Sequence, residues 1–260
     1  MACILFIGDV VASAGRRTLR KLLPALKEAH GVDFTVVNGE NAAGGIGITP
    51  RTADEIFEAG ADVITLGNHT YRHRDIYSYL AERREILRPA NFLTSQPGRG
   101  TCVVERDGLR LGVVNLSGNL FMNAARPALV EIDSALREVR DADLVLVDMH
   151  AEATSEKVAL GWYLDGRVTA VVGTHTHVPT NDARVLPGGT AYITDVGMTG
   201  ARGGVIGVIR EQSIEAMKTR MPVRYESSEV DPWLMGVLIH ADETGSATSI
   251  TPVLEPLTPA

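Results

Sequence analysis

The sequence predicts an α/β fold in which two mixed β-sheets pack face to face and carry helices on their outer sides. Short apolar runs alternate with amphipathic segments through most of the chain, which is typical of βα units. After a last predicted helix the apolar runs follow one another directly, which indicates antiparallel strands. The chain has 260 residues, of which 45% are hydrophobic, so a single domain spanning residues 1–260 has ample apolar side chains for its core.

The predicted strands are apolar runs of the length expected for buried strands. In chain order they cover 3–8, 34–37, 63–66, 101–106, 109–116, 144–147, 168–172, 192–194, 223–228, 234–241 and 247–253. Asp107 and Gly108 separate the fourth run from the fifth and are a hairpin signal, so these two strands should pair antiparallel.

The predicted helices are placed by their start signals and apolar stripes. One begins near Ser13, and the others cover 50–60, 75–84, 127–139, 155–164 and 210–219. Ser13 is expected to cap the first helix, and Pro24 is expected to kink it or split it. Thr49 should cap the second helix, with Pro50 at its first position. The proline-rich tail over 252–259 is expected to be loose at its end.

Composition and charge exclude several classes of protein. With 25 basic and 32 acidic residues the net charge is −7, which argues against a broad surface for extended nucleic acid or an anionic membrane. No apolar run is long enough to span a bilayer, and the first strand begins too early to leave room for a signal peptide. Cys3 and Cys102 lie in apolar runs and are expected to be buried free thiols. A cytoplasmic enzyme is therefore expected.

Five of the predicted strands end on residues that can bind a metal. These residues are Asp9, Glu40 with Asn41, Asn68 with His69, His150, and His175 with His177. Ligands of open α/β sheets bind beyond the carboxyl ends of the strands, so these side chains should meet along one edge. Nitrogen and oxygen donors without thiolate favour Mn, Fe, Mg or Zn. Eight donors exceed one tetrahedral ion and fit two ions sharing a carboxylate, as in phosphoryl hydrolysis.

Several of these residues have ordinary structural explanations when taken singly. Asp9 would cap the next helix, and His150 would be a satisfied core histidine. Glu40 is harder to explain, because a carboxylate at the end of a buried strand is costly unless it is paired or metal-bound. His175 and His177 would face one side if their segment is extended. The metal hypothesis depends on the joint occurrence of all these residues at strand ends.

The same residues lie in sequence blocks that resemble the calcineurin-like metallophosphoesterases. The usual D-x-H block reads Asp9-Val10-Val11 here, so its histidine is missing, and Glu40 with Asn41 stands where aspartate is usual. These departures match one subgroup, the YmdB-like family, which this sequence resembles over nearly its whole length. The similar segments are GDVVASAGRR, VVNGENAAGGIGIT, TLGNHTY, VDMHAEATSEK, GTHTHVPT and DVGMTG, with Ala12 in place of an expected glycine.

The resemblance implies a metallophosphoesterase-type sandwich and a di-metal, di-iron phosphodiesterase that acts on cyclic nucleotides, with 2′,3′-cyclic nucleotides favoured. It also implies a homo-oligomer. The implied roles are Glu40 as the bridging ligand, Asp9 and His177 on one ion, Asn68, His150 and His175 on the other, and Asn41 as a further ligand or orienting group.

As a mechanism we expect a hydroxide held by the metals to attack phosphorus. His69 is the expected general acid for the leaving ribose oxygen, because imidazole exchanges protons near neutral pH. Two alternatives stay open: a phosphomonoesterase or nucleotidase with the same metals, and a regulatory protein that binds a nucleotide or partner with little turnover.

Overall fold

The computed structural model describes residues 1–258 and has the predicted α/β architecture of two mixed sheets with six helices. The strands are β1 Ala2–Ile7, β2 Asp9–Val10, β3 Phe34–Asn38, β4 Val63–Thr65, β5 Ile86–Leu87, β6 Thr101–Arg106, β7 Leu109–Ser117, β8 Leu144–His150, β9 Ala170–Thr174, β10 Arg184–Val185, β11 Ala191–Ile193, β12 Met198–Ala201, β13 Pro232–Ala241 and β14 Ala247–Pro256. The helices are α1 Ala12–His30, α2 Pro50–Glu58, α3 Ile76–Glu82, α4 Ala128–Glu138, α5 Thr154–Leu164 and α6 Arg210–Thr219.

Both sheets combine parallel and antiparallel pairing: the first is parallel from β1 to its edge at β5, and the second is parallel between its two outer strands. The first sheet has the order β2-β12-β13-β1-β3-β4-β5, with β14 paired to β13. Its strands β1, β3, β4 and β5 are parallel, and β13 pairs antiparallel with β1. The second sheet has the order β10-β11-β9-β8-β7-β6, with β7, β8, β9 and β11 parallel. The carboxyl ends of these parallel strands carry the candidate site.

The core lies in three layers, which explains why the central strands are apolar on both faces. Side chains of both sheets form the middle layer, for example Phe6 and Val36 with Val113 and Val172. The opposite face of the first sheet packs against α1 and α2, and that of the second sheet packs against α4 and α5. The sandwich therefore places helices on both outer sides, as predicted.

Three local predictions are wrong. Helix α1 starts at Ala12, so Ser13 lies inside it and donates a hydrogen bond to Glu229 instead of capping. The helix is also not split at Pro24: it continues to His30, with Pro24 on its exposed face and Leu23 packed into the core. Residues 223–228 form only an isolated bridge, since most of these side chains are at least partly exposed and gain little from pairing.

Other local predictions are confirmed. Thr49 caps α2 in a reciprocal capping box with Thr52, and Pro50 is the first helical residue. Asp107 and Gly108 both have positive φ and connect β6 to β7 as an antiparallel hairpin. The predicted tail is ordered in β14 up to Pro256, and the end of the 252–259 segment lies outside the described residues.

Within residues 1–258 no helix combines the length and the apolar character needed to cross a membrane.

Candidate metal centre

All eight predicted site residues meet at one edge of the sandwich. Asp9 lies in β2, Glu40 and Asn41 follow β3, Asn68 and His69 follow β4, His150 ends β8, and His175 and His177 follow β9. Two of these strands, β8 and β9, belong to the second sheet, whereas the others belong to the first. The site is therefore built where the carboxyl ends of both sheets come together.

His150 is at the centre of one half of the cluster. Its Nε2 atom lies 3.0 Å from Glu40 Oε1, 3.1 Å from Asn68 Oδ1 and 3.1 Å from His175 Nδ1. His150 and Glu40 are fully buried. Together with His175 they offer ligand atoms that all lie within 4.8 Å of one another.

Asp9 and His177 form the other half, next to Asn41. Asp9 Oδ2 accepts a hydrogen bond from the backbone N–H of His175 at 3.1 Å. Asp9 Oδ1 is buried and has no hydrogen-bond partner among residues 1–258, although His177 Nε2 lies 3.8 Å away. The same His177 nitrogen is 3.1 Å from Asn41 Nδ2.

The donor set of His150 fits a cation. Thr174 donates its hydroxyl hydrogen to Asp148 Oδ1 at 2.7 Å, and its oxygen lies 2.9 Å from His150 Nδ1. His150 thus donates its Nδ1 hydrogen to Thr174 and turns Nε2 towards the oxygens of Glu40 and Asn68 and the nitrogen of His175. One ring nitrogen carries at most one hydrogen, so it cannot satisfy three facing acceptors. A metal ion among these atoms would satisfy all of them, and an ion beside Asp9 would satisfy its unpartnered oxygen.

The pKa shifts of the cluster also indicate that positive charge is favoured there. Burial alone would raise the pKa of Glu40, but the charge and hydrogen bond of His150, helped by His69, hold it well below its usual range. Burial alone would lower the pKa of His150, whereas Glu40 and then Asp9 raise it to about 9. Burial followed by the charge of His150 lowers the pKa of His175 to about 3. The acidic groups around His150 therefore favour a positive charge at this position, which a bound cation would supply.

His69 lies at the rim of the cluster. Its Nδ1 is 2.9 Å from Asn41 Oδ1 and 3.3 Å from Glu40 Oε1, and its backbone N–H donates to Glu40 Oε2 at 3.1 Å. About 31% of its side chain is exposed, in contrast to the buried His150. His69 therefore touches two of the predicted ligands and also reaches solvent.

An open cavity of about 360 Å³ lies over the cluster and gives a substrate access to it. Glu40, Asn41, His69, His175 and His177 line it, with the loop residues Ile206 and Val208 and the acidic Glu152. Glu152 Oε2 lies 3.1 Å from His175 Nε2, which orients that ring with Nδ1 towards His150.

The extended geometry predicted for His175 and His177 is wrong. His175 has a φ of 100° and His177 a φ of 66°, so the chain turns sharply at both residues. The two rings still reach the cluster. Strand β9 ends at Thr174, and the backbone N–H of the next residue, His175, is held by Asp9 Oδ2.

Sequence reasoning missed the residues behind the ligands. Asp148 is fully buried and accepts hydrogen bonds from Thr65 at 2.6 Å, Thr174 at 2.7 Å and Asn38 at 3.1 Å. Burial raises its pKa to about 6, although His150 and these hydrogen bonds oppose the shift. Its position two residues before His150 in one strand is a signal that it faces the same side.

Comparisons with known proteins agree with this picture. Residues 5–253 match the family model described as YmdB-like protein. The chain is 46% identical over 253 residues to a 2′,3′-cyclic-nucleotide 2′-phosphodiesterase of Bacillus subtilis, with 96% of each chain covered. A crystal structure of a hypothetical protein from Thermus thermophilus is similar with a TM-score of 0.92 and 40% identity, covering 98% of this chain and 99% of that one. That of a novel phosphatase from Mycoplasma pneumoniae has a TM-score of 0.91 and 35% identity, covering 98% and 93%.

Two stacked mixed sheets that bring carboxylate, carboxamide and imidazole side chains to one edge define a phosphoester hydrolase of the metallophosphoesterase type. The match over residues 5–253 is more specific than this class, and the predicted resemblance is confirmed. The chain belongs to the YmdB-like family.

Proposed function

We propose that this enzyme is a metal-dependent phosphodiesterase that hydrolyses cyclic nucleotides, with 2′,3′-cyclic nucleotides as its substrates. The observation that carries the proposal is the crowding of acceptor atoms around His150 Nε2, which a bound cation resolves. The Bacillus subtilis relative, named as a 2′,3′-cyclic-nucleotide 2′-phosphodiesterase, supports the choice of substrate.

The proposal assigns the ligands to two ions, with Glu40 between them. Asp9 and His177 would hold one ion, and the Asp9 oxygen without a hydrogen-bond partner supports this assignment. The other ion would be held by Asn68, His150 and His175. Asn41 would be a further ligand or would orient His177. We propose iron as the natural metal, with Mn, Mg and Zn as substitutes that the same donors accept.

Bound ions would lower the pKa of water and neutralise charge on the phosphoryl oxygens. The protein's own groups then orient the substrate and move a proton. Asn41 Oδ1 and Glu40 Oε1 both accept from His69 Nδ1, so the ring is held with its Nε2 edge free to face the cavity. An Nε2–H on that edge would donate its hydrogen to the leaving ribose oxygen, while Nδ1–H stays on Asn41 and Glu40.

The substrate class is tested by comparing a 2′,3′-cyclic nucleotide with the corresponding 2′- and 3′-monophosphates on metal-reconstituted enzyme. We expect the ring to open to a monophosphate, with little release of inorganic phosphate. Release of phosphate from the monophosphates without ring opening would instead establish a phosphomonoesterase or nucleotidase. A metal-loaded protein inert towards all these esters would favour a regulatory protein.

Two substitutions separate the metal ligands from the proton donor. Glu40→Gln should lose metal, and a fully loaded, active variant would contradict the bridging role. His69→Ala should keep the metal but lose roughly 10²–10⁴-fold in kcat, the usual contribution of general-acid help. His30→Ala, at the C-terminal end of α1, is the matched control and should change neither property. Metal loss in His69→Ala would reassign His69 as a ligand.

The proposal includes a cytoplasmic location and a homo-oligomeric state. The free thiols Cys3 and Cys102 support the location, because reducing compartments keep cysteines unpaired. Analytical ultracentrifugation of the purified enzyme would measure the oligomeric state, and a monomer at micromolar concentration would contradict it.

A further inference from the structure

The segment that carries His175 and His177 has a backbone that needs outside support. Both histidines have positive φ, a conformation that is uncommon for residues other than glycine. Such conformations cost energy and persist only where the surroundings fix them. Thr176, between the two histidines, therefore occupies the position at which a support would act most directly.

Asp195 provides contacts at that position. Its Oδ2 atom accepts two hydrogen bonds from Thr176, one from the backbone N–H at 3.0 Å and one from the hydroxyl at 2.8 Å. Its Oδ1 atom accepts from the backbone N–H of Gly197 at 2.9 Å. Asp195 follows β11 just as Asp9 follows β1, but its carboxylate supports the backbone of the site, whereas Asp9 faces the other predicted ligands.

Lys157 of α5 completes the support with a buried charge. Its Nζ atom lies 2.8 Å from Asp195 Oδ2, and both side chains are only 1% exposed. The lysine stem passes beneath β9 at Gly173, where an added Cβ would lie 2.9 Å from Lys157 Cδ. An ion pair this deeply buried is weak evidence for stability, because each charge loses its hydration. The free-energy cost of burying this ion pair therefore indicates that it has a role other than stabilising the fold.

The charge of Lys157 also keeps Asp195 compatible with the metal ligands. Asp195 lies close enough to Asp9 to disfavour the charged form of that carboxylate. Without Lys157, an uncompensated carboxylate would lie beneath a site that already holds Asp9 and Glu40. Because Lys157 pairs with Asp195, both oxygens of this carboxylate accept hydrogen bonds from the protein.

We propose that the buried Lys157–Asp195 pair is a positioning device for the metal centre, which acts through Thr176 to hold His175 and His177 in ligand geometry. This inference rests on the proposed function only in requiring that the two histidines bind metal. Neither side chain is a proposed ligand or lines the cavity over the cluster, so the effect of the pair should be seen in metal binding.

The test uses the full-length protein stripped of metal and titrated with Mn²⁺ or Co²⁺. Asp195→Asn leaves Lys157 without its carboxylate and weakens the acceptor of Thr176, so Mn²⁺ affinity should fall roughly 10–100-fold, as for other residues that orient metal ligands. Thr176→Val removes only the hydroxyl contact and should weaken Mn²⁺ binding about 10-fold, at the low end of that range. In both variants the visible spectrum of bound Co²⁺, which reports ligand geometry, should shift.

A matched control measures the effect of ordinary destabilisation. Thr190 is buried and donates its hydroxyl hydrogen to Val168 O at 2.7 Å, away from the site. Thr190→Val should lower the melting temperature while leaving Mn²⁺ affinity and the Co²⁺ spectrum unchanged. If Asp195→Asn fails to fold, Thr176→Val still decides the question.

The outcomes separate the two proposals. If the wild-type protein binds neither Mn²⁺ nor Co²⁺, the metal centre itself is wrong, and the positioning role falls with it. If the wild type binds both ions and Thr176→Val binds them with unchanged affinity and spectrum, the positioning role is wrong and the proposed function stands.

Discussion

Replacing Gly67 with alanine should disrupt the candidate metal centre, although Gly67 is not itself one of the predicted ligands. Gly67 connects β4 to Asn68 and does not have a positive φ, so its backbone accepts alanine. An added Cβ would lie 2.1 Å from His150 Cδ2, 2.2 Å from His150 Nε2 and 2.3 Å from Glu40 Oε2. Ordinary contact begins near 3.4 Å, so these side chains must move by about 1 Å or more.

The magnitude follows from that displacement. Misplacing catalytic groups by about 1 Å costs on the order of 10²-fold in rate, and we expect at least this loss in kcat together with weaker metal binding. Overpacking a core costs about 1–3 kcal/mol, so Gly67→Ala should remain folded. Metal content and turnover of a 2′,3′-cyclic nucleotide are measured on the same preparation.

Gly112→Ala is the matched control for overpacking. Its added Cβ would lie 2.8 Å from Val139 Cβ and 3.1 Å from Ala142 Cβ, both remote from the site. This variant should lose stability and keep metal and turnover. Wild-type metal content and kcat in Gly67→Ala would refute the geometry described for Glu40 and His150.

Two further predictions concern buried groups. Thr174→Val removes the acceptor that holds His150 Nδ1–H and leaves Asp148 without one donor, so metal affinity should fall about 10–100-fold. Isothermal titration with Mn²⁺ measures this affinity. An unchanged affinity would show that Thr174 does not orient the His150 ring. Burial, with smaller contributions from nearby acidic groups, raises the pKa of Cys3 to about 11 and that of Cys102 to about 12, so both remain thiols at pH 8. Iodoacetamide at pH 8 should then label neither cysteine in the native protein, as read by mass spectrometry, whereas both should react in urea.

Most of the architecture could be predicted from the chain, because its strands are apolar runs with clear ends. Helix α6 begins and ends where predicted, at Arg210 and Thr219. The prediction failed where tertiary contacts decide the outcome. Ser13 has a partner in Glu229, which is far along the chain, and Pro24 is tolerated because the helix is packed on its other face. The two-residue strand β2 depends on pairing with β12 and has no pattern of its own.

The residues gathered at the site were also predictable, since each follows an apolar run. The turns at His175 and His177 were not, because a positive φ at a non-glycine residue is imposed by distant groups such as Asp195. Buried partners like Lys157 give no local signal either, as a lysine on a helix is ordinarily exposed. The residues of the candidate site were thus visible in the sequence, whereas the groups that hold them were visible only in the structure.

In the proposed function, hydrolysis of cyclic nucleotides depends on metal held by this cluster. The most direct measurement titrates metal-free protein with Fe²⁺ under anaerobic conditions, or with Mn²⁺, while turnover of a 2′,3′-cyclic nucleotide and bound metal are followed together. We expect no turnover without metal and a plateau at about two ions per chain, as a two-metal site requires. Full turnover in the metal-free protein, or metal saturation without any ring opening, would contradict it.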